Sequence, residues 1–183
     1  MVLRRIAALS ALLGAGLLLA APAQAGDLLV GAMAHDFHAI GAGGTEGGVD
    51  VALGWRSERI ESLRWLWRPR VLTTVVANTS GGTDYAQAAL VWRFDLNRRL
   101  YFEPGVGAAV TDGIDSPVPH GGRKLDLGSR VLFSPQGAIG WKLNDRAALE
   151  ASYTHLSHAY LAGNRNPGLD DLGLRLVWKL GRD

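Results

Sequence analysis

The sequence predicts an all-β, eight-stranded antiparallel barrel of the outer-membrane type. Apolar and polar residues alternate along eight runs of about ten residues, which indicates strands with one apolar and one polar face. Short turns alternate with longer, glycine-rich connections, as in barrels whose strands run up and down through a membrane. All six tryptophans lie at the ends of runs nearest the short turns, which is the arrangement of an interfacial belt.

Residues 1–25 are typical of a cleaved secretory signal peptide. Arg4 and Arg5 precede a long apolar run, and Ala23-Gln24-Ala25 ends the segment. The segment contains these two of the 19 Lys and Arg residues and no Asp or Glu. The 17 basic residues that remain after its removal equal the 17 acidic residues in number. The mature chain, residues 26–183, is therefore predicted to be one barrel domain without net charge, which gives nucleic-acid binding no support.

The composition also limits the chemistry and the kind of membrane span. The chain contains no cysteine, which excludes a disulfide framework and thiol catalysis. No stretch after residue 25 approaches the ~18 consecutive apolar residues of a spanning helix. Any membrane-spanning structure must therefore consist of strands.

The first six runs are separated by clusters of Gly, Asp, Asn and Ser, and the first run is the least regular. They cover residues 27–36, 49–55, 65–76, 85–96, 100–110 and 129–143. Their polar faces predict a narrow interior that is filled by side chains and is not a pore. The side chains expected inside are Glu103, Glu150, Arg68, Arg93, Arg130 and Arg175.

The lengths of the connections and the positions of the tryptophans distinguish a membrane barrel from a soluble fold. Short turns at 97–98 and 144–146 alternate with longer connections at 37–48, 111–128 and 159–171. The tryptophans are expected to form one belt on the periplasmic side; they are Trp55, Trp65, Trp67, Trp92, Trp141 and Trp178. The alternative is a secreted β-sandwich or lipocalin-like barrel, which would dissolve without detergent.

The last two runs carry the residues that suggest chemistry. In the seventh run, the apolar odd face that begins at Leu149 ends with His155 and Ser157. In the eighth run the even residues are apolar, and the same parity places Asp170 on the apolar face and Asp171 on the polar one. A hydroxyl, an imidazole and a carboxylate are what nucleophilic catalysis requires. The alternative is that they are ordinary polar residues at a barrel rim.

Two segments near the C-terminus resemble the lipid A 3-O-deacylase (PagL) family of outer-membrane acyl hydrolases. They are His155-Leu156-Ser157-His158-Ala159 and Asn166-Pro167-Gly168-Leu169-Asp170, followed by the closing strand. Upstream, residues 101–107 and 127–133 are similar to less specific landmarks of that family. The resemblance covers essentially all of the mature chain.

The resemblance implies a serine esterase with a Ser-His-Asp triad. Ser157 is expected to be the nucleophile, His155 the general base and then acid, and Asp170 the orienting carboxylate. Asn166 matches a position that contributes to the oxyanion hole. The implied reaction is hydrolysis of the ester at position 3 of lipid A, with release of a 3-hydroxy fatty acid and without a cofactor. The family usually reads H-x-S-N, whereas His158 takes the fourth position here.

The expected partners are lipid A or lipopolysaccharide and the outer membrane, with the active site toward the outer leaflet. Arg123, Lys124 and Arg165 are candidate contacts for the phosphates of lipid A, although solvated loop charges are the alternative. A homodimer is a candidate assembly.

Three alternatives stay open. The pairs His35 with His38 and His155 with His158 have spacings that suggest a metal only weakly, so no metal is expected. The chain could be a structural or adhesive barrel without catalysis, which predicts no dependence on Ser157. It could also be a serine hydrolase that acts on phospholipids.

Overall fold

The computed structural model describes residues 26–37, 46–114, 124–164 and 166–181, so the predicted signal peptide lies outside the described residues. Ten strand segments form one antiparallel sheet, and a 3₁₀ helix, Glu61–Leu66, lies between the second and the third. The segments are β1 (Asp27–Ala34), β2 (Val49–Arg56), β3 (Arg70–Asn78), β4 (Tyr85–Val91), β5 (Phe94–Asp95), β6 (Leu100–Thr111), β7 (Val131–Phe133), β8 (Gln136–Lys142), β9 (Ala147–Leu156) and β10 (Leu169–Lys179).

The sheet closes on itself as a barrel. β1 pairs with both β2 and β10, and β4 pairs with both β3 and β6. β5 continues β4 along β6, while β7 and β8 are two parts of one strand that break at Ser134-Pro135, because proline cannot donate to the sheet. The ten segments therefore make eight barrel strands, which confirms the predicted fold class.

The connections define two ends of the barrel. The turn end carries the connections 57–69, 96–99 and 143–146, and the loop end carries 35–48, 79–84, 112–130 and 157–168. The connection after β2 is longer than predicted because it contains the 3₁₀ helix. All six tryptophans lie at the turn end, as their sequence positions indicated; Trp55 and Trp178 flank Leu28 across neighbouring strands.

The outer wall of the barrel is apolar and the interior is polar. On the wall, Val30 is 49% exposed and Leu174 is 55% exposed, whereas Arg56, Glu103 and Glu150 are buried inside. This distribution reverses that of a soluble barrel and is the pattern of a barrel surrounded by lipid. Among the described residues, no helix is long and apolar enough to cross a membrane.

An ion-pair network around Arg56 fills the interior toward the turn end. The Arg56 guanidinium donates two hydrogen bonds to Asp27 Oδ2, at 3.0 and 2.9 Å, and one to Glu150 Oε1 at 2.8 Å. It also contacts Glu103, and Tyr101 Oη donates to Glu150 Oε1 at 2.5 Å. Buried charges are tolerated when they are paired in this way, so the interior is plugged rather than open.

The predicted interior set is partly correct. Glu103 and Glu150 are fully buried, and Arg93 and Arg175 contact them. The prediction that Arg68 lies inside is wrong, because Arg68 follows the 3₁₀ helix and pairs with Glu61 on the exposed surface, at 2.9 Å. Trp65 and Trp67 on one parity, with Arg68 and Arg70 on the other, imitate a strand. The left-handed φ of 56° at Trp67 instead ends the helix, and the strand begins only at residue 70.

The prediction that Arg130 lies inside is also wrong. It precedes β7 in the connection at the loop end, where it is exposed. Arg56 and Arg70, both buried, take the interior positions instead. Both lie next to Asp27, and Arg70 Nη2 is 2.8 Å from Asp27 Oδ2. Parity placed Arg70 on the polar face, although the predicted interior set did not include it, and Arg56 lies one residue beyond the predicted run 49–55.

Candidate active site

The register of the last two strands brings His155 and Asp170 together. In the β9–β10 pair, Asp170 lies directly opposite His155, and Asp171 lies opposite Thr154. His155 Nδ1 is 2.5 Å from Asp170 Oδ1. The parity prediction is therefore confirmed: Asp170 shares the outward face with His155, and its neighbour Asp171 faces inward. A carboxylate on Nδ1 fixes the imidazole so that Nε2 can serve a nucleophile.

The Asp170 carboxylate is buried although it belongs to the outer face. Its residue is 1% exposed, and Oδ1 accepts hydrogen bonds from both His155 and the Tyr153 hydroxyl, the latter at 2.8 Å. The backbone N–H of Phe37 donates to the Asp170 carbonyl at 2.7 Å. Exposure then increases toward the rim, since the imidazole is 14% exposed and Ser157 is half-buried.

Ser157 continues the same face just beyond the end of β9. Its backbone is fixed by a bridge to Phe133, with N–H to carbonyl distances of 3.1 and 2.7 Å in the two directions. Among the described residues, the Ser157 hydroxyl makes no hydrogen bond to the His155 imidazole. Catalytic hydrogen bonds often form only when substrate binds. The position of Ser157 therefore keeps it as the candidate nucleophile.

The connection after Ser157 orients Asn166. The backbone N–H of His158 donates to Asn166 Oδ1 at 3.1 Å. Because the amide oxygen is engaged, the amide nitrogen is the group that can donate to a substrate. An amide N–H held in one orientation is what an oxyanion hole requires.

Gly168 packs against the imidazole. Its φ of +76° is in the left-handed region, and a Cβ at this position would lie 2.8 Å from His155 Cε1. Both the backbone conformation and the close approach require glycine. In the sequence, the only indication of this requirement is that Gly168 belongs to the segment that resembles the family.

A second buried cluster lies on the inner side of the barrel, behind Asp170. The imidazole of His35 contacts Asp50 Oδ2 through Nδ1 at 2.8 Å and Glu46 Oε2 through Nε2 at 2.7 Å. Asp171 Oδ1 is 3.5 Å from His35 Nδ1, and Tyr85 Oη donates to Asp171 Oδ2 at 2.7 Å. In the sequence, only the spacing from His38 distinguishes His35, and His38 lies outside the described residues.

This inner cluster has the composition of a metal site but the hydrogen bonding of an ion pair. Ligand atoms of His35, Asp50 and Asp171 lie within 4.8 Å of one another. However, both imidazole nitrogens contact carboxylate oxygens, and a proton on each nitrogen satisfies both contacts and leaves no lone pair for a metal. The geometry is that of a buried imidazolium among carboxylates.

The charge on His35 predicts how stability depends on pH. Burial in the turn after β1 opposes protonation, but the hydrogen bonds to Asp50 and Glu46 outweigh it and raise the pKa of His35 from 6.5 to about 10. A raised pKa stabilises the fold fully below pH 6.5, and this contribution is lost as the pH rises toward about 10. We expect the thermal stability of the detergent-solubilised barrel to fall across this window. His35→Gln should flatten that slope, and an equal slope in the variant would contradict the assignment.

The candidate phosphate contacts are only partly described. Lys124 forms an ion pair with Asp112 within the connection between β6 and β7. Arg123 and Arg165 lie outside the described residues. The role of all three in binding lipid A stays a prediction.

Comparison with known proteins identifies the family of the chain and agrees with its fold. Residues 47–179 match the model of the family described as lipid A 3-O-deacylase (PagL). No curated protein sequence matches the chain.

Solved structures share the barrel at low sequence identity. The crystal structure of the outer membrane enzyme PagL is 17% identical with a TM-score of 0.60, and the match covers 83% of this chain and 98% of that one. A de novo designed transmembrane β-barrel is 9% identical (TM-score 0.54, covering 87% and 98%), and Neisserial surface protein A is 13% identical (0.52, 85% and 95%). These likenesses establish the fold. Because the family model spans well over half of the sequence, the chain belongs to the lipid A 3-O-deacylase (PagL) family.

Proposed function

We propose that the protein hydrolyses the ester at position 3 of lipid A and releases a 3-hydroxy fatty acid. The observation that carries this proposal is the His155–Asp170 pair, 2.5 Å apart on the outward face and two residues from Ser157. An outward-facing site at the barrel rim meets the acyl chains that surround the barrel. It is therefore suited to a substrate that is itself a membrane lipid.

The proposed reaction is acyl transfer to serine followed by hydrolysis. His155 Nε2 takes the proton of the Ser157 hydroxyl as Oγ attacks the ester carbonyl carbon. The negative charge on the carbonyl oxygen is stabilised by the amide of Asn166, and Asp170 stabilises the imidazolium. The carbon–oxygen bond to the sugar then breaks, and His155 returns the proton to the sugar oxygen. His155 then takes a proton from a water molecule, whose oxygen attacks the acyl carbon. The bond from that carbon to Ser157 Oγ breaks, His155 gives the proton to Oγ, and the fatty acid leaves.

The position of these residues supports a site in the outer leaflet. His155, Ser157 and Asp170 all lie at the loop end. In outer-membrane barrels the long connections face the outside and the short turns face the periplasm. Lipid A in the outer leaflet would then reach the site directly from the bilayer.

Two other functions and a homodimer have less support. A phospholipase would use the same residues, but membership of the PagL family favours lipid A. A non-catalytic barrel does not need a carboxylate held on an imidazole at the lipid-facing rim. The comparisons give a homodimer no support, so none is proposed.

Incubation of the purified barrel in detergent with lipopolysaccharide, and separately with phospholipid, tests the proposal. We expect 3-hydroxy fatty acid from the lipopolysaccharide and little release from the phospholipid. Release from phospholipid alone would indicate a phospholipase. Release from neither would support the non-catalytic barrel.

His158→Asn is expected to keep the rate within a few-fold of the parent or raise it slightly. His158 is buried, and its Nδ1 accepts a hydrogen bond from the backbone N–H of Ala162 at 3.2 Å. Asparagine Oδ1 stands at the same distance along the side chain, so it can accept the same bond. The measurement is initial-rate release of 3-hydroxy fatty acid. Complete inactivation would mean that the imidazole of His158 has an essential role of its own.

A further inference from the structure

We propose that Tyr153 is a positioning residue that holds the Asp170 carboxylate for His155, an inference that rests on the proposed hydrolytic function. The Tyr153 hydroxyl donates to Asp170 Oδ1 at 2.8 Å, and His155 Nδ1 contacts the same oxygen at 2.5 Å. One carboxylate oxygen is thus held by two side chains of one strand.

The strand register explains how both side chains reach the carboxylate. Tyr153 and His155 are two residues apart on β9, so they point to the same outward face. Asp170 lies directly opposite His155, and Tyr153 lies opposite Leu172. The Tyr153 hydroxyl therefore reaches Asp170 along the diagonal, which is a distance that an aromatic side chain can span. The carboxylate is fixed from the wall side by the phenol and from the rim side by the imidazole.

The burial of Asp170 makes this second donor important. With the residue 1% exposed, water cannot readily replace a lost partner of Oδ1. A carboxylate that loses the phenol donor is held less firmly, and the imidazole that it orients then spends less time in the productive geometry. Tyr153 does not need to touch the substrate to act in this way.

The same pair of strands provides a matched control. Tyr85 donates to Asp171 Oδ2 at 2.7 Å, almost the same bond to the neighbouring acid, but inside the barrel. Tyr85→Phe removes one phenol hydroxyl from a buried carboxylate, as Tyr153→Phe does. The two variants differ in which acid loses its donor, so they separate an effect on the His155–Asp170 pair from a general loss of a buried hydrogen bond.

The test combines an observation that needs no turnover with a kinetic one. In the parent barrel in micelles, NMR of the histidine ring protons should show a His155 Nδ1 proton protected from solvent by Asp170. Tyr153→Phe should broaden this resonance through faster exchange and lower kcat about tenfold without changing KM, whereas Tyr85→Phe should leave both unchanged. In an Asp170→Asn background, Tyr153→Phe should have no further effect on kcat, because it acts through Asp170.

Three results would overturn the positioning role of Tyr153. An unchanged His155 resonance in Tyr153→Phe overturns the positioning role, and so does an equal loss of that resonance in Tyr85→Phe. A further fall in kcat in the Asp170→Asn background would likewise overturn it. If the resonance behaves as expected but the parent cleaves no ester, the positioning of the pair is upheld and the proposed function is what fails.

Discussion

Replacement of Ser157 by alanine is expected to abolish release of the acyl chain from position 3 of lipid A while the barrel still assembles. Without the hydroxyl no acyl-serine forms, and loss of the nucleophile costs about 10⁶ in kcat in a well-studied serine hydrolase. Ser157 is half-buried on the outward face, so removal of its hydroxyl leaves no deeply buried group unsatisfied. The measurement is initial-rate release of 3-hydroxy fatty acid from lipopolysaccharide in detergent, with folding checked by the heat-dependent gel shift.

Ser152→Ala is the matched control for this variant. Ser152 lies on β9, the strand that precedes Ser157, but it faces the interior, and its buried hydroxyl has no hydrogen-bond partner among the described residues. Its removal should therefore change neither folding nor activity. Activity retained by Ser157→Ala would contradict the proposed nucleophile.

The second large effect separates two neighbouring acids. Asp170→Asn keeps the size of the side chain but removes the charge that stabilises the imidazolium and selects its tautomer, and this change costs about 10⁴ in a well-studied triad. Asp171→Asn should stay within a few-fold of the parent rate, since Asp171 faces inward and contacts Tyr85 and His35. We expect Asp171→Asn to change thermal stability instead. Both variants are compared by the rate of fatty acid release and by thermal unfolding.

The reverse result would be informative. If Asp171→Asn is inactive and Asp170→Asn is active, the β9–β10 register in the membrane differs by one residue from the pairing of Asp170 with His155. Such a slip moves every side chain of a strand to the opposite face.

Period-two alternation predicted the barrel and the shared face of His155 and Asp170, because both depend on strand parity. The odd positions of β9 and the even positions of β10 fix which face each residue takes, and antiparallel pairing then brings Asp170 to His155. Parity failed where a local backbone feature replaced the strand. The predicted run 65–76 begins in the 3₁₀ helix and becomes a strand only at residue 70, so Arg68 lies outside the barrel.

The remaining contacts could not be predicted because they join residues that are far apart in the chain and have no shared pattern. His35 and Asp171 meet only when the first and last strands pair. The Glu46 carboxylate contacts the side-chain hydroxyl of Thr83, at 2.8 Å, and the backbone N–H of Leu125, which belong to two other connections. Tyr153 was visible as a member of the apolar face, but nothing in the alternation indicated that its hydroxyl turns toward Asp170.

Mass spectrometry of lipid A from cells tests the central claim most directly. Cells that express the parent chain should contain lipid A that is lighter by one 3-hydroxyacyl group, lost from position 3, and cells that express Ser157→Ala at equal levels in the outer membrane should contain the unmodified molecule. Unmodified lipid A in cells with the folded parent barrel, or the same deacylated product with the Ser157→Ala variant, would contradict the assignment of this chain as a serine-dependent lipid A 3-O-deacylase.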